Sequence, residues 1–197
     1  MRFKLFGTEI YISFLFAAVI AFMLATDRTG LIIPTLFAVF IHESGHLLAM
    51  WSADCAPRQI RLIPASIQIV RSFATKPSYE LAISLCGPAA NLVVFGALYI
   101  NYVLFKNEGI LIYSLLNLII FAFNMLPVKG LDGGAVLYTL LCKYISEERA
   151  NLSVRIITAL CAFIALIAGV YTAACGRINL SVFIVAIYLF VTAIIKM

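Results

Sequence analysis

The sequence predicts an all-α polytopic membrane protein of six transmembrane helices, the fourth one broken. Three observations carry that prediction. Hydrophobic residues make up 64% of the 197 and charged residues only 12%, against about 45–50% apolar and about 25% charged in soluble domains. Apolar runs of spanning length, about 20 residues, recur along the chain. Most of the basic residues fall between those runs or near their ends, and mostly on one side of a six-span layout.

The runs cover roughly 10 to 25, 30 to 51, 79 to 104, 110 to 145 with an interruption, 152 to 174 and 178 to 195. The first follows Arg2 and Lys4 as a signal peptide would, but it leads through Ala25-Thr26-Asp27-Arg28 straight into a second span, which favours an uncleaved helix. Between the second and third runs, the alternations Ile60/Leu62 and Ile67/Ile69 around Pro64-Ala65-Ser66 read as a short membrane-surface β-hairpin. The fourth run is too long for one straight helix and is interrupted between Asn124 and Gly134. Irregular backbone at membrane depth survives only where protein or a wet cavity supplies hydrogen-bond partners, so this break is expected to line a cavity.

No stretch is polar enough for an appended soluble domain, so residues 1–197 read as a single membrane-embedded domain. The formal charge of +5 is scattered over loops rather than gathered on a face, which argues against a nucleic-acid partner. It reports topology instead. With the amino terminus inside, eleven basic residues face the cytosol and only Arg28, Lys106 and Arg177 face outward, so both termini are expected to be cytosolic. The five cysteines show no C-x-x-C spacing and read as small buried hydrophobes, without disulfide or metal.

Inside the second run lies His42-Glu43-Ser44-Gly45-His46, an H-E-x-x-H motif holding the only two histidines of the chain. Helical residues four apart share a face, so both imidazoles can bind one zinc ion while Glu43, one residue on, reaches a metal-bound water. The plain alternative is a pair of hydrogen-bonded core histidines. Against it, ionisable groups deep in a span cost about 2.5–3.5 kcal/mol each and are functional by default. Catalytic zinc usually takes three protein ligands. Asp54 lies about 12 Å along the helix from His46, and Glu9, Asp27, Glu80, Glu108, Glu147 and Glu148 sit at predicted span ends. Asp132 combines an intramembrane position with a carboxylate, and Gly133-Gly134 beside it permit close backbone approach. Its alternative role is the N-cap of the following helix.

The motifs His42-Glu43-x-x-His46, Gly87-Pro88-Ala89-Ala90-Asn91, and Asn124-x-x-Pro127 followed by Leu131-Asp132-Gly133-Gly134 together resemble the site-2 proteases, which are intramembrane zinc metalloproteases. They stand in the family's order over positions 42 to 134, and the six-span layout extends the likeness to nearly the whole chain. The resemblance implies one Zn2+ per chain held by His42, His46 and Asp132, with Glu43 as the catalytic base. It implies a membrane or membrane-associated regulatory protein as substrate, locally unwound before cutting, and regulatory membrane proteins as further partners. Asn91 would hold the scissile peptide or its oxyanion, and Asn124 with Pro127 would position substrate. For Asn91 the alternative is an interhelical hydrogen bond. An extended substrate is expected to pair with the hairpin edge at Ile67 and Ile69; otherwise that segment is an interfacial loop. The loop departs from the family, which is often richer in proline just before Leu-Asp-Gly, because Lys129 and Gly130 stand there. The absence of a PDZ insertion is similar to the minimal branch that includes bacterial sporulation-factor processing enzymes, so a bacterial cell membrane is the expected setting.

Two readings from other classes compete. A transporter would use the histidines and carboxylates as a proton or ion relay, but the second interrupted span of an inverted repeat is missing from the pattern. An inactive scaffold would bind single-span partners without cutting them.

Overall fold

The computed structural model describes residues 2–5, 8–55, 57–63, 66–71, 77–176 and 180–194, with the backbone alone for residues 3, 5, 66–71, 180, 181 and 194. The chain forms two compact units, Met1–Ala122 and Phe123–Met197.

The first unit begins with strands β1 (Arg2–Leu5) and β2 (Thr8–Ile12), followed by helices α1 (Phe14–Thr26) and α2 (Ile32–Ser52). Strands β3 (Pro57–Ile63) and β4 (Ser66–Arg71) come next, then the long helix α3 (Pro77–Phe105) and α4 (Glu108–Asn124). The all-α expectation is therefore corrected by a four-stranded sheet in the order β1-β2-β3-β4. Its β3/β4 half is the predicted hairpin, antiparallel with Ile60 opposite Ile69 and Leu62 opposite Ile67; Pro64 and Ala65 of its turn lie outside the described residues. Strands β1 and β2 escaped the sequence reading for a physical reason. Ser13 alone separates β2 from α1, so the apolar residues of the strand merged with those of the helix into one run. Strands β2 and β3 pair in parallel, which needs a long crossover, and α1 and α2, between them in the chain, supply it. The Ser13 N–H donates to the Leu62 carbonyl at 2.9 Å and carries the ladder to the start of α1.

Between α1 and α2, the Asp27 carboxylate accepts hydrogen bonds from the backbone N–H of Thr29 at 2.8 Å, Gly30 at 3.0 Å and Ile32 at 3.1 Å, and from the Thr29 hydroxyl at 2.8 Å. The Ile32 N–H, and after it the Thr29 hydroxyl, hold the Asp27 carboxyl below its usual pKa. Helix α2 then turns one face inward, burying Ala38, His42, Gly45, His46 and Met50. Helix α3 answers with Ile83, Gly87, Pro88 and Asn91. A Cβ at Gly45 would strike the Cys86 carbonyl oxygen, so a glycine there sets how closely the two backbones approach.

The second unit holds the end of α4, then α5 (Asp132–Leu141), α6 (Glu147–Ala174) and α7 (Leu180–Ile194). The fourth apolar run is thus two helices with an irregular loop between them. Val128 plugs that loop into the core, fully buried with Ala162 and Leu189 and flanked by Leu131, Cys161 and Val185. The Thr158 hydroxyl, also fully buried, accepts from the Lys129 N–H at 2.8 Å and donates to the Val154 carbonyl at 2.8 Å. Side-chain and backbone groups of the same unit thus serve the backbone of this loop. Gly130 has φ +92°, a region closed to proline, whose φ is fixed near about −65°. Neither Lys129, whose N–H is used, nor Gly130 can therefore be proline without rebuilding the loop.

Helices α2, α3 and α6, of 21, 29 and 28 residues, are long and apolar enough to cross a membrane. The other three apolar segments, Phe14–Thr26, Glu108–Asn124 and Val182–Ala193, are shorter than the expected spans.

Thr158→Val keeps the shape of the side chain and removes the acceptor for Lys129, which should cost about 1–3 kcal/mol. Unfolding in detergent micelles measures it, and Thr158→Ser should lie closer to the parent protein.

Candidate metal centre

His42 and His46 lie one helical turn apart on the inward face of α2, 5% and 7% exposed. Their rings meet edge to face, 84° apart in plane, with the two Nε2 atoms 3.1 Å from each other. What that approach means depends on where the ring protons are, and the neighbours decide it. The Nδ1 of His46 lies 2.7 Å from the carbonyl oxygen of Ile83. A carbonyl can only accept, so His46 carries its proton on Nδ1.

His42 is settled one step further away. Its Nδ1 lies 2.9 Å from Oδ1 of Asn91. The orientation of that amide follows from its other end, where Nδ2 donates to the Ala38 carbonyl at 2.9 Å and to Oδ1 of Asn117 at 3.0 Å. Asn117 is oriented in turn by donation from its Nδ2 to the Tyr113 carbonyl at 2.9 Å. Oδ1 of Asn91 is therefore the acceptor, and His42 too is protonated on Nδ1 when neutral.

Both rings thus aim an Nε2 lone pair into one space, and in these tautomers neither can donate to the other. A cation resolves that arrangement. Two nitrogens at about 2.0–2.1 Å from one tetrahedral zinc ion stand about 3.3 Å apart, close to the 3.1 Å observed. The donor pair fits a zinc ion.

Room for the His46 ring comes from Gly87, since a Cβ there would collide with Nε2, Cε1 and Cδ2 of the imidazole. Pro88, buried in the same turn of α3, lacks the N–H that would reach back to the Ser84 carbonyl. Glu43 is half-buried and turned about 100° around α2 from His42.

The remaining predicted residues distribute as follows. Asp132, in the second unit, is the first residue of α5; the N-cap is Leu131, without a side-chain cap. The N-cap alternative for Asp132 is thereby corrected: the carboxylate lies in the first turn, where a negative charge suits the helix dipole. Gly133 and Gly134 let the preceding loop fold onto this turn, because a Cβ on the first would meet the Met125 and Leu126 carbonyls and on the second the Val128 carbonyl. Asn124 ends α4 half-buried, and Pro127 is exposed on the loop. Ile67 and Ile69 are on β4, the strand at one end of the sheet order. Sequence reasoning missed Asn117 and the Ile83 carbonyl. A buried asparagine in an apolar run was a visible signal for the first; a backbone carbonyl leaves none.

No known family profile matches the chain. A zinc metalloprotease of Methanocaldococcus jannaschii is 29% identical over 153 residues, 72% of this chain and 45% of that protein. A site-2 protease of known structure from Methanocaldococcus jannaschii superposes with a TM-score of 0.72 at 24% identity, over 100% of this chain and 97% of that one. The fold is that of a site-2 protease. The chain spans about half the length of the curated metalloprotease it matches, so the likeness in sequence concerns the portion shared with it.

Gly87→Ala should displace the His46 ring and weaken metal binding by about 10–100-fold, the range seen when the support of a ligand is lost. Equilibrium metal competition on the purified protein measures this. Gly96→Ala, where a Cβ meets nothing within 4 Å, should leave binding unchanged.

Proposed function

We propose that this chain is an intramembrane zinc metalloendopeptidase of the site-2 protease kind, which hydrolyses a peptide bond in or near a membrane-embedded segment of a regulatory protein. The observation that carries the reading is the pair of Nε2 lone pairs converging at 3.1 Å, with each Nδ1 proton directed elsewhere. The likeness in sequence to a zinc metalloprotease and in fold to a site-2 protease supports it.

His42 and His46 hold the ion through Nε2, and Asp132 supplies the third donor. Two imidazoles and a carboxylate are a usual catalytic set, leaving a position for water or substrate. When bound, zinc supplies Lewis acidity toward a carbonyl oxygen and lowers the pKa of water towards about 7. Glu43 takes a proton from the attacking water on its carboxylate and returns it to the leaving amide nitrogen. Asn124 and Pro127, on the approach to α5, position the substrate backbone. A helical peptide bond is shielded by its own turn, so the substrate is unwound and pairs as an extended strand with β4 at Ile67 and Ile69.

The two units act as one membrane domain with six crossings, the three shorter apolar helices included, and both termini lie on the cytosolic side of a cell membrane. Eleven of the basic residues support that orientation. Partners are membrane or membrane-associated substrates and regulators, not nucleic acid.

Glu43→Gln tests the chemistry. Cleavage of a single-span substrate in detergent or liposomes should fall by about 10²–10⁴-fold, the usual contribution of a general base, while bound zinc stays near one per chain. Undiminished cleavage would remove Glu43 from the mechanism. Capture of a single-span partner without cleavage by the zinc-loaded parent protein would point to the scaffold reading. For the strand edge, Ile67→Pro or Ile69→Pro should reduce cleavage of a helical substrate more than that of an already extended one.

A further inference from the structure

We infer that Asn117, on α4, is a positioning residue for the metal centre: acting through Asn91, it fixes which nitrogen of His42 is presented to the ion. The inference rests on the zinc reading above and extends it to a side chain two hydrogen bonds away from His42.

The donors and acceptors around Asn91 admit one consistent arrangement. A primary amide can rotate by 180° and exchange its oxygen for its nitrogen with little change in shape. If Asn91 did so, its Nδ2 would face His42 Nδ1, and the ring would have to accept there and carry its proton on Nε2 instead. That places N–H where a metal ligand needs a lone pair. Two contacts oppose the rotation, because Oδ1 would then face two acceptors, the Ala38 carbonyl and Oδ1 of Asn117.

The Ala38 carbonyl belongs to the same helix as His42. Asn117 is the only side chain among these contacts that holds the amide from outside the α2–α3 pair. Its own orientation is set by the Tyr113 carbonyl, which keeps an oxygen aimed at Asn91. The residues involved are nearly closed to solvent, Asn91 at 0% and Asn117 at 4% exposure, so water does not readily replace a lost partner. His46 needs no such relay, because Ile83 supplies a backbone oxygen that cannot rotate. The two ligands are therefore oriented by different means, and the relay should act on His42 alone.

With only two histidines in the chain, 15N-histidine NMR of the metal-free protein in detergent reads each tautomer separately. In the parent protein both rings should be Nδ1–H. In Asn117→Leu, which keeps the bulk and removes the acceptor, His42 should become a mixture of tautomers while His46 stays as it was, and zinc affinity should fall about tenfold, the low end of the range for ligand support. Asn117→Asp retains an oxygen in the same place and should restore the His42 signal. An unchanged His42 tautomer in Asn117→Leu, with the His46 signal intact as proof of folding, overturns the inference. If Asn117→Leu loses the His46 signal, Asn117→Ala is read by the same criteria. A His42 tautomer that shifts without any change in zinc affinity would leave the relay standing and remove His42 from the metal site, so the two readings fail separately.

Discussion

A histidine binds a metal ion through a lone pair, and in a neutral ring that lone pair exists on one nitrogen only because the proton is held on the other. In this protein the control is exercised at Nδ1, by the Ile83 carbonyl for His46 and by the Asn91 amide for His42. The arrangement demands close helices. Gly45 and Gly87 allow that approach, since a methyl group on either would strike a backbone carbonyl or the imidazole itself. Helix packing and ligand chemistry are thus one constraint: a looser α2–α3 interface would leave both rings able to choose the wrong tautomer. In membranes, where apolar side chains gain little by leaving lipid for one another, small residues and buried amides are what hold helices together. Here the same groups also aim the two imidazoles.

The loop ahead of α5 shows a second solution to a general problem. Buried backbone that leaves a helix needs both partners and stiffness. Proline would provide stiffness by fixing φ and removing a donor. This chain uses Lys129, whose N–H is needed by Thr158, and Gly130, whose positive φ reverses the chain. Rigidity comes instead from Val128, sunk among α6 and α7 side chains. The departure from the proline-rich pattern is therefore a change of anchoring, with the loop tied through side chains of its own unit.

Much of this was legible in the sequence. The H-E-x-x-H spacing placed His42 and His46 on one face because helical periodicity is local, and the Ile60/Leu62 and Ile67/Ile69 alternations marked β3 and β4 for the same reason. The break before Asp132 announced itself by its glycines and proline. Less visible were features made by tertiary contact. Strand β2 was hidden because Ile10 and Ile12 continue into the apolar α1. The length of the apolar runs could not say where each helix stops, so α1 and α4 came out shorter than the runs that foretold them. For Asn91, sequence allowed a contact with substrate or a bond between helices; its amide proves to be engaged by His42, Ala38 and Asn117.

The parallel pairing of β2 with β3 imposes an order of assembly. A hairpin can close as soon as its turn has left the ribosome, whereas partners 50 positions apart, such as Glu9 and Gln59, must wait until everything between them has been made. Here the intervening chain is α1 and α2, including the H-E-x-x-H turn. The amino-terminal strands consequently stay unjoined to the rest of the sheet through early synthesis. The four-stranded platform can be completed only after the histidine-bearing helix has been translated.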